Sequence, residues 1–193
     1  MGGKIIGAAQ MGEGYGFTSP GGQSIYRDKD GRLLFACHTR TNFLPMTDFT
    51  LQIHQMYFNA DGWPVLNQNE FYGEKASPDR LTMQDIAGTY EVVTTRRSRI
   101  PRIDGTATQS EKLEISEDGI VKGAYNGTLV LGEDGYTVTF SLNDAGIFTG
   151  LVLRSVDWTR KDIPDSGRRT ICFTTLNSTG GSKNGEYFFG NRQ

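Results

Sequence analysis

"KLEISEDGIVKGAYNGTLVLGEDGYTVTFSL", residues 112–142, decides the fold class. Three Asp-Gly or Asn-Gly dipeptides divide this stretch into four short runs that are rich in Val, Ile, Thr and Tyr. Such dipeptides tolerate the positive φ that tight hairpins require. In the last run, apolar residues alternate with Thr and Ser and share one face: Tyr136, Val138, Phe140 and Leu142. The stretch therefore predicts a four-stranded antiparallel meander.

The same turn pattern extends along the whole chain of 193 residues, which predicts an all-β protein. The first half contains four candidate strands: Gln23–Tyr26, Leu33–Thr39, Phe49–Phe58 and Pro64–Phe71. Four antiparallel strands make one sheet or one blade of a propeller. Residues 86–192 contain seven to nine short strands. A closed or nearly closed barrel would leave few of their edges bare.

Residues 53–65, "IHQMYFNADGWPV", predict a β-hairpin in the first half. Ile53 to Phe58 form one arm, residues 59–62 form the turn, and Trp63 begins the returning arm. Pro64 fits the start of a strand, where its missing N–H costs least.

One stretch, residues 76–90, has a helical pattern. Ser77 is a candidate N-cap, Pro78 suits the first helical position, and Gly88 suits the C-terminal cap. About three turns fit between them, with Leu81 and Ile86 packing inward. We place the domain boundary here, which gives a blade-like sheet over residues 1–75 and a barrel over residues 76–193.

The composition excludes several classes of function. A formal charge of −2 gives no electrostatic reason to expect nucleic acid or an anionic membrane as a partner. The basic run at 94–102 is interpreted as a solvated loop or strand edge. No apolar stretch is long enough to cross a bilayer, and the N-terminus lacks a signal-peptide pattern. Cys37 and Cys172 lie in apolar runs and are expected to be buried thiols.

Two long stretches resemble a known family. "TSPGGQSIYRDKDGRLLFACHTR" (18–40) and "LQIHQMYFNADGWPVLNQNEFYGE" (51–74) are similar to the last propeller blade of extracellular endo-α-1,5-L-arabinanases of glycoside hydrolase family 43. "DIAGTYE" (85–91) and "ICFTTLNSTGGSKNGEYFFGNRQ" (171–193) are similar to the lipocalin-like barrel that follows the propeller. The resemblance implies a secreted, bacterial protein and arabinan as the polysaccharide partner.

The chain departs from the family at two places. Family members use three catalytic carboxylates on earlier blades, and this chain has room for about one blade. Inverting hydrolysis needs two carboxyl groups that flank the bond, and the sequence shows no such pair, so no catalytic residue is assigned. The family's metal-associated histidine lies in a Gly-His-Asn-Ser loop, and Gly22 occupies that position here. We therefore expect no metal and no cofactor.

His38 and His54 lie on neighbouring strands of the predicted sheet, where two histidines could form a metal or acid–base site. Zinc takes three or four protein ligands, and no third is indicated. We therefore expect both to be buried imidazoles that bond to backbone or neighbouring groups. Arg40, in the same motif, is expected to pair with a carboxylate. Trp63 belongs to this structural motif as well.

Aromatic side chains can stack on sugar rings, and the alternative role of each is packing in the core. The carbohydrate-binding candidates are Trp158, Trp63 and Tyr187, with Tyr72 as a further aromatic. Trp158 lies in a polar, loop-like context, "RSVDWTRKDIPDSGRR" (154–169), which makes it the best candidate.

Three functional hypotheses remain open. The first is a non-catalytic C-terminal region of an arabinanase-like glycosidase with an accessory or carbohydrate-contacting role. The second is a glycosidase that is active only through assembly with the missing blades. The third is a barrel that binds a small apolar ligand, as lipocalins do.

A lone blade would leave apolar sheet faces uncovered. We expect the first sheet either to pack on the barrel or to bury an apolar face in a homodimer.

Overall fold

The computed structural model describes residues 5–42, 48–95, 107–160, 167–180 and 185–193. Three parts of the sequence discussed above lie outside these ranges: most of the basic run at 94–102, part of the polar loop after Trp158, and Asn184 of the Asn184-Gly185 dipeptide, which has the same turn pattern. The described part of the chain is all-β, with a sheet, a closed barrel and one short helix.

The sheet contains six strands in the order β5-β4-β3-β2-β1-β7. The four predicted strands are present: β2 (Gly16–Arg27), β3 (Leu33–Thr41), β4 (Thr50–Phe58) and β5 (Pro64–Leu66). Two strands of two residues each extend the sheet: β1 (Ala9–Gln10) and β7 (Thr108–Gln109). β7 comes from the second half of the chain and pairs with β1 in parallel. The division at residue 75 remains a prediction.

The hairpin between β4 and β5 matches its prediction, with Tyr57 opposite Val65. Asn59 shapes the turn, because its Oδ1 accepts the backbone N–H of Asp61 at 3.1 Å and that of Trp63 at 2.8 Å. Gly62 follows with a φ of +78°, which favours glycine. β5 ends at Leu66 rather than at the expected Phe71, because the chain beyond it turns its asparagines toward the barrel.

Eight antiparallel strands close the barrel, in the order β10-β11-β12-β13-β14-β6-β8-β9. They are β6 (Gly88–Thr95), β8 (Glu111–Ile115), β9 (Ile120–Gly123), β10 (Gly127–Leu131), β11 (Thr137–Leu142), β12 (Gly146–Asp157), β13 (Arg168–Asn177) and β14 (Tyr187–Arg192). The predicted meander is confirmed as β8–β11. The barrel closes because β6 pairs with both β14 and β8, and β9 with β10, so no edge stays bare.

The barrel interior is filled by side chains. The largest buried members are aromatic: Tyr90, Phe140, Phe148, Phe173 and Phe188. The Phe173 ring lies 4.6 Å from that of Phe140 and 4.9 Å from that of Phe188, centroid to centroid. These contact distances are those of a packed aromatic core. The lipocalin-like alternative of an apolar ligand inside the barrel is therefore not supported, because the ligand would have to displace these rings.

The helix prediction needs correction. The structure has one turn, α1 (Met83–Ile86), rather than three turns beginning at Pro78. Thr82 is the N-cap, and it forms a capping box with Asp85. The segment before it stays non-helical, because the Leu81 N–H donates to the carbonyl of Gly135 on a barrel turn and its side chain is buried there. Among the described residues, no helix is long and apolar enough to span a membrane.

Candidate functional site

The two histidines lie on opposite faces of the sheet. His54 pairs with Phe35 across β3 and β4, whereas His38 pairs with Leu51 three positions along, so their side chains point to opposite sides. His54 is buried, and His38 is exposed beside the ring of Phe49 at 4.9 Å. This corrects the expectation that both would be buried, and the structure does not bring them together as a pair.

His54 acts as a buried hydrogen-bond donor. Its Nδ1 lies 3.0 Å from the carbonyl oxygen of Asn67 and 3.1 Å from that of Asn69. Both partners are acceptors, so the proton is on Nδ1. Nε2 has no partner among the described residues, and burial holds the imidazole pKa below its ordinary value. The backbone-bonded role that we expected for His54 is the one observed.

The side chains of these two asparagines join the sheet to the barrel. Asn67 Nδ2 donates to Ser155 Oγ on β12 at 2.9 Å, and Asn69 Nδ2 donates to the same oxygen at 3.1 Å. Asn69 also bonds to Asn191 on β14 through a reciprocal pair of amide bonds. We call this set the polar seam: His54, Asn67, Asn69, Ser155 and Asn191. All five residues are buried.

An apolar layer continues the polar seam. Met11, Tyr57 and Val65 from the sheet side pack against the outside of barrel strands β6, β12, β13 and β14. Tyr187 belongs to this layer and is only 1% exposed. Its ring offers no face to a sugar, which corrects its assignment as a carbohydrate-binding candidate. The first sheet thus packs on the barrel, one of the two outcomes that we expected for it.

Two further groups at the seam carry shifted pKa values. Glu74 is buried, and its carboxylate accepts from Asn67 Nδ2 at 3.0 Å and from the backbone N–H of Tyr72 at 3.0 Å. Burial raises its pKa despite these bonds. Burial also raises the pKa of the Cys172 thiol, which lies 3.5 Å from Asn67 Oδ1. Cys37 and Cys172 are both free, buried thiols, as predicted.

The two tryptophans differ in accessibility. Trp63 is 49% exposed at the hairpin turn, and Phe58 at the end of β4 is 52% exposed. The barrel fixes this turn, because Thr149 Oγ1 donates to Asp61 and accepts from Asn59 Nδ2. Trp158 is only partly exposed, and a Cβ on Gly167 would lie 2.9 Å from its ring. Trp63, rather than Trp158, is therefore the more open of the two.

Arg40 does not form the ion pair that we expected. Its guanidinium lies 4.5 Å above the ring of Phe49, and no carboxylate of the described residues is within ion-pair distance of it. A cation over an aromatic ring is stabilised by the ring quadrupole, which explains this position. The described residues contain no group of three or more His, Cys, Asp or Glu side chains that could hold a metal ion.

Sequence reasoning missed the polar seam. Its only local signal is the run "LNQNEF" (66–71), in which two asparagines alternate with other polar residues between Leu66 and Phe71. Alternation of this kind is also typical of a half-exposed strand. The barrel residues of the seam, Ser155 and Asn191, lie 86 and 122 positions after Asn69 in the chain. No local sequence pattern therefore connects them.

Comparison with known proteins agrees with the fold. Residues 68–185, more than half of the chain, match the C-terminal lipocalin-like domain of glycoside hydrolase family 43. Extracellular endo-α-(1→5)-L-arabinanase 2 of Bacillus subtilis is 27% identical over 172 residues, which are 87% of this chain and 33% of the relative. The extracellular endo-α-(1→5)-L-arabinanase of Thermotoga petrophila is 26% identical over 170 residues, 86% of this chain and 33% of the relative.

Solved structures show the same architecture. A family 43 glycoside hydrolase from Bacillus licheniformis has a TM-score of 0.81 at 24% identity, covering 98% of this chain and 39% of that one. The endo-1,5-α-L-arabinanase of Thermotoga petrophila has a TM-score of 0.80 at 24% identity, covering 100% of this chain and 41% of that one.

The chain spans about a third of the length of the curated relatives that it matches. Its match over residues 68–185 covers β6 and β8 to β13 of the closed barrel described above. The chain belongs to the family of C-terminal lipocalin-like domains of glycoside hydrolase family 43.

Proposed function

We propose that this region is a non-catalytic, accessory part of an arabinan-degrading glycoside hydrolase that acts outside the cell. The observation that carries the proposal is the family match over the barrel, together with relatives named as extracellular arabinanases that are about three times as long. The chain resembles the part of those enzymes that its family names as C-terminal.

The buried carboxylates support a structural role. Three are buried among the described residues: Glu74, Glu91 and Asp157. Glu74 accepts from Asn67 and Tyr72, Glu91 accepts from the hydroxyl of Ser110, and Asp157 accepts from the backbone and hydroxyl of Thr159. Each is thus held by neighbouring donors, which is how buried charges are satisfied in a stable core.

The accessory role includes contact with arabinan through the hairpin turn. Trp63 presents a half-exposed ring on a turn that the barrel holds in place, and Phe58, next to the turn, is half-exposed as well. Aromatic rings offer the apolar area that suits a sugar face. Trp158 is a second, less open contact.

Electrophoresis of the protein in gels that contain arabinan tests this role. We expect arabinan to retard the protein, Trp63→Ala to reduce the retardation, and the matched control Val130→Ala, an exposed apolar residue on the barrel, to leave it unchanged. Release of sugar from arabinan should equal the blank. Hydrolysis above the blank would overturn the non-catalytic role, and unretarded wild-type protein would remove the carbohydrate contact.

We also propose that a second copy covers the open face of the sheet. Tyr26, Phe49 and Leu51 lie on the face that carries His38 and are 64%, 51% and 69% exposed. Contiguous exposed apolar side chains mark interaction surfaces. The same face carries His38 and the guanidinium of Arg40, which both contact the ring of Phe49.

A second candidate function is glycosidase activity that requires assembly with further polypeptide. The length of the relatives named as endo-arabinanases favours it. Arabinan hydrolysis that rises faster than linearly with protein concentration would support this candidate. A rate that stays at the blank over the same range would exclude it for this chain.

A further inference from the structure

A cleft separate from the hairpin turn opens where the chain leaves the sheet and approaches barrel strand β12. Its volume is about 150 Å³, which is far more than one water requires. Its sheet side consists of Tyr57 on β4 together with Tyr72 and Glu74 from the segment after β5, and Leu153 and Arg154 on β12 form its barrel side. Lys75, Ser77 and Asp79 line the rim from the connecting segment.

Two tyrosine hydroxyls in the cleft keep their hydrogen-bonding capacity. Tyr57 packs its ring into the apolar layer and is 9% exposed, and Tyr72 is 38% exposed. Neither hydroxyl bonds to another described residue, and the hydrogen bond that Tyr72 makes to Glu74 uses its backbone N–H. Glu74, Tyr72 and Asp79 line the same cleft as Tyr57. Burial raises the pKa of the Tyr57 hydroxyl, and the charges of these groups raise it further. A buried phenol ordinarily finds a partner, and the cleft is where one could bind.

Glu74 fixes the geometry of the sheet side. One oxygen of its carboxylate accepts from Asn67 in the polar seam, and the other accepts from the Tyr72 backbone. The backbone of Tyr72 is thereby held by a buried group that is itself bonded to the barrel through Asn67 and Ser155. Hydrogen bonds to the barrel thus hold this wall of the cleft, although it lies outside the regular strands. A wall held in this way suits a preformed binding site.

The charges of the cleft balance. Lys75 pairs with Asp79 at 2.9 Å, and Arg154 pairs with Asp85 at 3.3 Å. The cationic side chains thus already have carboxylate partners, and Glu74 has its own donors. A ligand that brings a net charge would gain little here. A neutral ligand with several hydroxyl groups would satisfy the tyrosine hydroxyls and place its apolar face on the ring of Tyr72.

We propose that this cleft binds one neutral sugar residue, free or at a chain end, through the hydroxyls of Tyr57 and Tyr72 and the ring of Tyr72. The proposal rests on the proposed carbohydrate contact and adds a second site to it, lined by residues other than Trp63 and Trp158. The size of the cleft suits one ring rather than a length of polymer.

The test uses the whole 193-residue chain with L-arabinose as the probe. Binding of L-arabinose is measured by NMR or calorimetry. Tyr57→Phe removes one hydroxyl and keeps the ring in the core, and Tyr72→Ala removes the stacking face. We expect each variant to weaken binding about tenfold, the effect of losing one or two good contacts. Tyr26→Phe, which removes an exposed hydroxyl on the far face of the sheet, is the matched control and should bind like the wild type.

Two companion measurements separate the outcomes. If arabinan retards the wild type but L-arabinose binding is unchanged in Tyr57→Phe and Tyr72→Ala, the cleft proposal fails and the hairpin contact stands. If arabinan does not retard the wild type at all, the proposed carbohydrate role itself fails. D-Galacturonate, an anionic sugar, should bind more weakly than L-arabinose; tighter binding would overturn the neutral-ligand assignment.

Discussion

The side-chain amides of Asn69 and Asn191 bond to each other twice across the seam between sheet and barrel. Asn69 Nδ2 donates to Asn191 Oδ1 at 2.8 Å, and Asn191 Nδ2 donates to Asn69 Oδ1 at 2.9 Å. The two residues are 3% and 0% exposed. Because His54 on β4 bonds to the backbone carbonyl of Asn69, the sheet and the barrel share one continuous hydrogen-bond network.

The first prediction concerns this amide pair. Asn69→Ala leaves the buried Asn191 amide without this partner, and Asn191→Ala leaves the Asn69 amide with Ser155 alone. Each variant should therefore lower the free energy of unfolding by about 1–3 kcal/mol. The double variant should lose less than the sum of the two, since the residues are directly coupled. Urea denaturation measures all three. Asn143→Ala, at an exposed turn, is the control and should have little effect. Additive losses would contradict the coupling.

The second prediction concerns acid stability and His54. Burial keeps the imidazole neutral in the folded protein, with a pKa below the ordinary value of 6.5. The unfolded chain binds a proton below that value and the folded protein does not, so the unfolded state gains stability as the pH falls. The free energy of unfolding should therefore drop by ~1.4 kcal/mol per pH unit between the ordinary pKa and the lowered one.

Comparison of two variants isolates this effect. His54→Gln should be less stable at neutral pH and should lose this part of the pH slope. His38→Gln changes an exposed histidine and should keep the slope of the wild type. Denaturation curves between pH 5 and 8 measure both. An unchanged slope in His54→Gln would show that another group carries the acid sensitivity.

The sequence predicted the elements whose signals are local. Asp-Gly and Asn-Gly turns with alternating strands predict β8 to β11, and Pro64 after the Asn59 turn predicts the hairpin. The short helix was misplaced, because Ser77-Pro78 is a good local start signal and the bond from Leu81 to Gly135 overrides it. The polar seam and the cleft depend on residues that are far apart in the chain. Neither propensity nor periodicity records such pairings, so they could not be predicted.

The third prediction concerns the barrel interior. Phe173 is fully buried and contacts the rings of Tyr90, Phe140 and Phe188. Phe173→Ala should lower the free energy of unfolding by about 3–5 kcal/mol through lost transfer energy and the resulting cavity. Val130→Ala on the barrel exterior should change it by less than about 0.5 kcal/mol. Thermal or urea unfolding measures both, and a small loss for Phe173→Ala would mean that the interior can collapse around the gap.

The fourth prediction concerns the open face of the sheet. Leu51 on β4 is 69% exposed and lies opposite His38 on β3, on the face that also carries Phe49. If a second copy covers this face, Leu51→Glu places a charge in an apolar interface and the desolvation cost should dissociate the dimer. Sedimentation velocity should show a dimer for the wild type and a monomer for the variant.

The matched control for this experiment is Val130→Glu, which adds the same charge at an exposed apolar position on the barrel. It should sediment as a dimer like the wild type, because the charge lies away from the sheet face. Both variants should keep the wild-type circular dichroism spectrum, since neither side chain is part of a core. A wild-type protein that sediments as a monomer at every concentration would exclude the homodimer, and the apolar face would then have to be covered by another partner or remain in contact with water.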